Sequence, residues 1–205
     1  MNYDTLISFI LATAALAISP GPDNIYVLMQ SIAHGKKYGL ATVFGLISGC
    51  IIHTTLLAFG VSAIIKNNDT VFFGIKLFGA GYLVYLAYQV FKSSNDLTLS
   101  ETQVPKKSVG QLFKQGFIMN VLNPKVSIFF LAFFPGFLFS ETLSTIWQFY
   151  ILGFLFMAVS LLIFSVIAVL AGNISEYIKS HKHLGLYLKW LQIIVFIGIA
   201  VLILV

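Results

Sequence analysis

The sequence predicts an all-α integral membrane protein: six transmembrane helices as two inverted three-helix repeats, with the first and fourth segments broken by proline. Three observations carry this expectation. Hydrophobic residues make up 59% of the 205 residues and charged residues only 9%, with a mean hydropathy of +0.95. A soluble domain carries about 25% charge, so this chain has too little polar surface to face water all round. Apolar runs of about 20 residues, the length that crosses a bilayer as a helix, recur from end to end. Proline interrupts two of them at corresponding places, Pro20-Gly21-Pro22 and Asn123-Pro124-Lys125.

The runs fall near 3–33, 38–65, 71–91, 112–139, 146–171 and 187–205. The first lacks a basic start, carries Asp4 and has prolines where a leader would be cleaved, so it reads as mature protein. The first and fourth are too long for one upright helix, and each contains proline; the other four read as continuous spans. No segment alternates at period two over about ten residues, which disfavours a membrane β-barrel.

Charge position sets orientation. All twelve basic residues are lysine. Lys36 and Lys37 follow the first span, Lys92, Lys106, Lys107 and Lys114 the third, and Lys179, Lys182 and Lys189 the fifth. Lys66 stands alone on the opposite side, and Lys76 and Lys125 fall inside spans. Positively charged loops stay in the cytoplasm, so both termini are expected outside it. A re-entrant first segment would move the N-terminus inside. The net charge of +5 therefore reports topology and is not evidence for a nucleic-acid partner. Residues 1–92 form the first three-helix repeat, 93–110 a cytoplasmic linker and 111–205 the second repeat. Broken segments at matching positions of two inverted halves point to a transporter's central site.

The chemistry of the breaks follows from proline and asparagine. Pro20 and Pro22 donate no N–H and clash with the carbonyls of Leu16 and Ile18, which must then face protein or water. Asn123 suits an N-cap and Pro124 the first helical position, so a half-helix starts in mid-membrane with its positive dipole end there. That end suits a substrate carboxylate, and Lys125 adds a full charge. Asp23, beside Asn24, supplies the opposite sign. The binding candidates are thus Pro20, Gly21, Pro22, Asp23, Asn24, Lys76, Asn123, Pro124 and Lys125, with Asp23 and His53 as candidates for proton coupling.

Each has a plainer reading. A membrane proline kink is often only structural, Asp23 is also a natural N-cap, and Lys76 is near enough to a span end to snorkel. Ala41, Gly45, Gly49 and His53 recur every four residues along one face, where small residues let helices approach and a histidine bonds its neighbour. Gly79, Gly81, Tyr82 and Tyr85 read first as packing, and Cys50 as a small buried side chain. A lone cysteine excludes an internal disulfide, and His181 and His183 around Lys182 are a weak metal candidate. No metal or other cofactor is expected.

Enzyme chemistry has little support. Gly45-Leu46-Ile47-Ser48-Gly49 has the wrong spacing for a nucleophile elbow. There is no phosphate-binding loop to hydrolyse ATP. An intramembrane enzyme built on Ser48 and His53 stays as an alternative, as does a metal or inorganic-ion exporter on the same scaffold.

Ser19-Pro20-Gly21-Pro22-Asp23-Asn24 followed by His34-Gly35-Lys36-Lys37-Tyr38-Gly39 resembles the opening of LysE-type translocators. These are bacterial amino-acid exporters that include the lysine and homoserine/threonine exporters. Further matches are Gly45 to His53, Lys76 to Leu86, Asn123-Pro124-Lys125, Phe129-Phe130 and Phe134-Pro135, so the resemblance covers nearly the whole chain. It implies a six-helix inner-membrane protein that exports amino acids or similar small zwitterions by proton antiport, with a homodimer as a further expectation. Departures are Lys36, Lys37 and Lys189, where the family usually has arginine, and Gly136, where it usually has glutamine.

Overall fold

A computed structural model describes residues 2–62, 69–93, 105–180 and 184–204, all helical apart from short connections. The first apolar run is two helices, α1 (Tyr3–Ile18) and α2 (Pro22–His34). Helix α3 (Lys36–Leu56) follows, ending in a π turn (Leu57–Val61), and then α4 (Asp69–Lys92). The fourth run is again split, into α5 (Val109–Val121) and α6 (Pro124–Phe133), the latter extended by a 3₁₀ turn (Phe134–Phe137). Helices α7 (Thr145–Val169), α8 (Ala171–Ser180) and α9 (Leu184–Leu204) complete the described chain.

Four helices are long and apolar enough to cross a membrane unaided: Lys36–Val61, Thr70–Lys92, Thr145–Val169 and Gly185–Leu204. Two further spans arise if each split pair is one; α1 and α2 bend by 57°, and α5 and the α6 unit by 52°. The breaks thus fall where proline placed them. Two boundaries differ from expectation. Helix α5 begins at Val109, inside the linker expected to run to 110, because Ser108 and Gln111 form a reciprocal capping box. The polar stretch after the fifth span, expected as loop, is partly the amphipathic α8, which packs on α2. Residues 181–183, the weak metal candidate, lie outside the described residues.

Helix α3 is the axis of the bundle, packed on α2, α5 and α7. Its small-residue face does what the four-residue spacing predicted. A β-carbon at Gly45 would overlap the Phe113 carbonyl of α5, and one on Gly116 would press on the Thr42 carbonyl of α3. The two backbones approach because neither has a side chain there. Gly79 abuts Ala132 in the same way, whereas Gly81 faces open space. Helices α4 and α9 pack on each other and turn most of their apolar surface outward.

The half of the bundle near Asn2 and Phe139 is filled by phenylalanine. Phe129 and Phe133 stack at 4.4 Å, Phe130 and Phe134 at 4.2 Å, and Phe9 meets Phe134 edge-on at 5.1 Å. Above them Gln148 clamps the connection from α6 to α7. Its carbonyl accepts from the Phe139 and Ser140 amides, and its amide donates to the Ser140 and Leu143 carbonyls, all within 2.9 Å. The Asn2 amide in turn donates to the Phe139 carbonyl. Aromatic packing and this clamp together fix the connection at this end, beside an open pocket of about 830 Å³ lined by Asn2, Asp4, Phe139 and Glu141.

Candidate functional site

The two breaks meet. Helices α2 and α6 both begin at mid-bundle, and the residues before each start face the same cavity of about 60 Å³. Its polar lining includes Ser19, Asp23, Asn24, Asn120, Asn123 and Lys125. Phe129, Phe156 and Phe164 close its sides. It has room for a few water molecules.

Each break is repaired by a side chain. Helix α1 stops at Ile18, and the Asn24 amide reaches back to donate to the Ala17 carbonyl at 2.8 Å and the Ser19 carbonyl at 3.3 Å. Proline was expected to free the carbonyls of Leu16 and Ile18; those taken up by Asn24 are their neighbours, because the chain leaves the helix before Pro20. At the second break the Asn123 carbonyl oxygen accepts from the Lys125 amide at 3.0 Å, the cap its sequence position predicted. The Asn123 amide donates to Asp23 Oδ2 at 3.3 Å, joining two residues one hundred positions apart.

Lys125, in the first turn of α6, points across the cavity. A β-carbon on Gly21 would lie 3.4 Å from its ammonium nitrogen, so glycine leaves that approach open. The ammonium also sits 4.7 Å from the centre of the Phe196 ring, within cation–π range. Asp23, in the first turn of α2, lies close enough to interact with it electrostatically. A carboxylate and an ammonium thus stand at the positive ends of two half-helices, in a setting where polar groups interact more strongly than in water.

Of the other predicted residues, Gly21, Pro22 and Asn24 line the cavity, while Pro20 and Pro124 shape the breaks from outside it. Lys76 does not reach it; its ammonium lies 5.9 Å from the Phe72 ring centre on its own helix. His53 is buried, with Nε2 3.1 Å from the Asn120 carbonyl and its ring 5.5 Å from Phe130. It lines a separate pocket with Val121, Ser127 and Leu131. The residue therefore braces the end of α5 at the second break, as a helix-to-helix bond would. Ser48 donates to the Gly45 carbonyl at 2.7 Å, so Ser48 and His53, the pair of the enzyme alternative, are each bonded elsewhere.

Asn120 was missed. It is buried, lines the cavity and accepts weakly from Cys50 Sγ at 3.7 Å, while its carbonyl meets His53. Its signal was a second amide three residues before Asn123 in an otherwise apolar run. Ser160, a buried hydroxyl on the apolar α7, also lines the cavity. Among the described residues no group of three His, Cys, Asp or Glu side chains could hold a metal ion.

The arrangement brings one acid, one ammonium and several amides together in an apolar bundle. Comparison with known proteins agrees with a transport role. The family model described as LysE type translocator matches residues 14–205. The chain is 30% identical over 187 residues to the homoserine/homoserine lactone efflux protein of Salmonella typhimurium, covering 90% of this chain and 88% of that one. The protein of the same name from Salmonella typhi matches equally. A membrane protein of Vibrio cholerae serotype O1 is 26% identical over 181 residues, with 88% and 87% of the two chains covered. No solved structure matches. On this match, which spans almost its whole length, the chain belongs to the LysE type translocators.

Proposed function

We propose that the chain exports a small zwitterionic metabolite, an amino acid or a close derivative such as homoserine, from the cytoplasm by proton antiport. The observation that carries this reading is the convergence of Asp23 and Lys125 on one cavity at the starts of two half-helices. Lys125 and the α6 amides take the carboxylate, and Asp23 takes the ammonium or, in its absence, a proton. Homoserine or its lactone is what the Salmonella relatives are named for. An inorganic-cation exporter has less support, since Lys125 repels a metal ion from the one carboxylate present.

Six spans with both termini outside are supported by bends of 57° and 52°, which turn the chain without reversing it. The split first and fourth segments, each with its second half starting at the cavity, support two inverted repeats, 1–92 and 111–205, joined by 93–110. The lysine distribution supports a cytoplasmic position for the ends of α2, α4 and α8 in the bacterial inner membrane. The aromatic packing and the Gln148 clamp then lie towards the outer side. The cavity must widen to admit a substrate of amino-acid size, as an alternating-access cycle requires.

Efflux from cells preloaded with dipeptides, which release a panel of amino acids inside, tests the proposal. Faster loss of one or more amino acids in cells expressing the chain than in cells expressing Lys125→Ala is expected. Equal loss of all of them overturns it.

A further inference from the structure

Below the cavity, towards the lysine-bearing end, α2 carries polar residues on one face: Asp23, Tyr26 and Gln30, at helical spacings of three and four. Gln30 is 1% exposed, yet its carbonyl oxygen has no partner. The Tyr26 hydroxyl is also buried and has no partner within ordinary hydrogen-bond distance; Gln30 and, across on α5, Gln115 are its nearest polar neighbours, at longer range. Ser19, at the cavity, has a third such oxygen. Three more lie off this line: Ser31, which faces Gly39 of α3, Thr13 on α1 and Ser62 after the π turn. Buried polar oxygens left unpaired are costly, so a line of them marks a place where water or a solute supplies the missing bonds.

The walls fit that role. The backbones of α2 and α5 stay apart along most of their length. Gln115 accepts a hydrogen bond from the Lys107 ammonium. Lys107, Gln111, Lys114 and Gln115 surround an open pocket of about 380 Å³ at the lysine-bearing end. Neither helix carries a carboxylate other than Asp23. At the other end of the bundle the Gln148 clamp has every polar group of its side chain satisfied.

We propose that the α2–α5 groove is a water-filled passage from the lysine-bearing end to the Asp23–Lys125 cavity, one that favours anionic and carboxylate-bearing solutes over cations. Lys107 and Lys114 attract the carboxylate at the mouth, Gln115, Tyr26 and Gln30 hand it on through neutral hydrogen bonds, and Lys125 receives it. The inference deepens the export reading and rests on it for the direction of travel and for the carboxylate role of Lys125.

The chain's single cysteine makes the test direct. In a Cys50→Ala background, the single variants Tyr26→Cys, Gln30→Cys, Ile25→Cys and Ile32→Cys are exposed to membrane-impermeant methanethiosulfonates in inverted vesicles and in intact spheroplasts. Gln111→Cys serves as the accessible reference, and membrane abundance is measured for each variant. Thiols at positions 26 and 30 are expected to react from the inverted-vesicle side about tenfold faster than those at positions 25 and 32, whose native isoleucines face outward on α2. At position 30 the anionic sulfonate reagent is expected to gain on the cationic ammonium reagent relative to their rates with a free thiol. Silence at positions 26 and 30 while position 111 reacts overturns the passage, as does reaction only from the spheroplast side. A preference for the ammonium reagent overturns the anion selectivity. These outcomes are independent of whether amino acids are exported, which the dipeptide experiment decides alone.

Discussion

Asn123 bonds Asp23 across the two breaks: its amide donates to the carboxylate at 3.3 Å while its own carbonyl caps the helix that carries Lys125, accepting from that residue's amide at 3.0 Å. One side chain thus couples the acid of the first break to the ammonium of the second. Asn123→Ala should lose both bonds, lowering stability by about 1 kcal/mol for the cap and efflux severely. Asn123→Asp keeps the cap acceptor but sets a second carboxylate against Asp23. It should melt close to wild type in detergent yet transport poorly, which thermal unfolding and efflux rates measured side by side will show.

Lys125→Ala is expected to abolish export at near-normal membrane abundance. Its ammonium makes contacts to a ring face and the cavity rather than to core packing. Efflux with quantified membrane protein checks this, and normal export by the variant would remove the carboxylate role.

Gly21→Val should act on the same spot without touching charge. Gly21 is extended, at φ −154°, so a β-branched side chain is tolerated by the backbone. Its β-carbon would already stand 3.4 Å from the Lys125 ammonium. The expected result is a folded protein with efflux reduced at least as far as in Gly21→Ala.

Coupling is tested at Asp23. Asp23→Asn retains the shape of the side chain but cannot carry a proton, so it should bind substrate more weakly and equilibrate it without driving it uphill. Reconstituted vesicles with an imposed pH gradient distinguish the two. Full proton-driven accumulation by the Asn variant would move attention to His53, which bonds the Asn120 carbonyl beside the same break.

Packing of α3 on α5 predicts a contrast among glycines. Gly45→Ala would drive a methyl into the Phe113 carbonyl, with a cost of about 1–3 kcal/mol for an overpacked contact and lower membrane abundance. Gly74→Ala and Gly81→Ala meet open space and should leave abundance unchanged. Quantitative blots of the three variants decide it.

The sequence by itself determined the membrane class, the family and the places where two apolar runs break. Low charge and apolar length make water-facing folds untenable, and proline interrupts a helix wherever it stands in its interior. Asn123 as a cap and the close approach along Gly45 and Gly49 were likewise legible, because both are local: one depends on neighbours two residues on, the other on a four-residue repeat. Tertiary structure decided which polar groups share a space. Lys76 and Lys125 are equally lysines within apolar runs, yet only Lys125 lines the cavity, since α6 begins at the bundle centre whereas Lys76 stays against Phe72 on α4. Asn24 could be seen beside Asp23, but not that it returns to Ala17 and Ser19; Asn120 was one amide among apolar residues until α3 brought Cys50 and His53 against it. Periodicity reports the face of one helix, and a site between helices depends on how the bent halves converge, a relation carried by contacts up to one hundred residues apart.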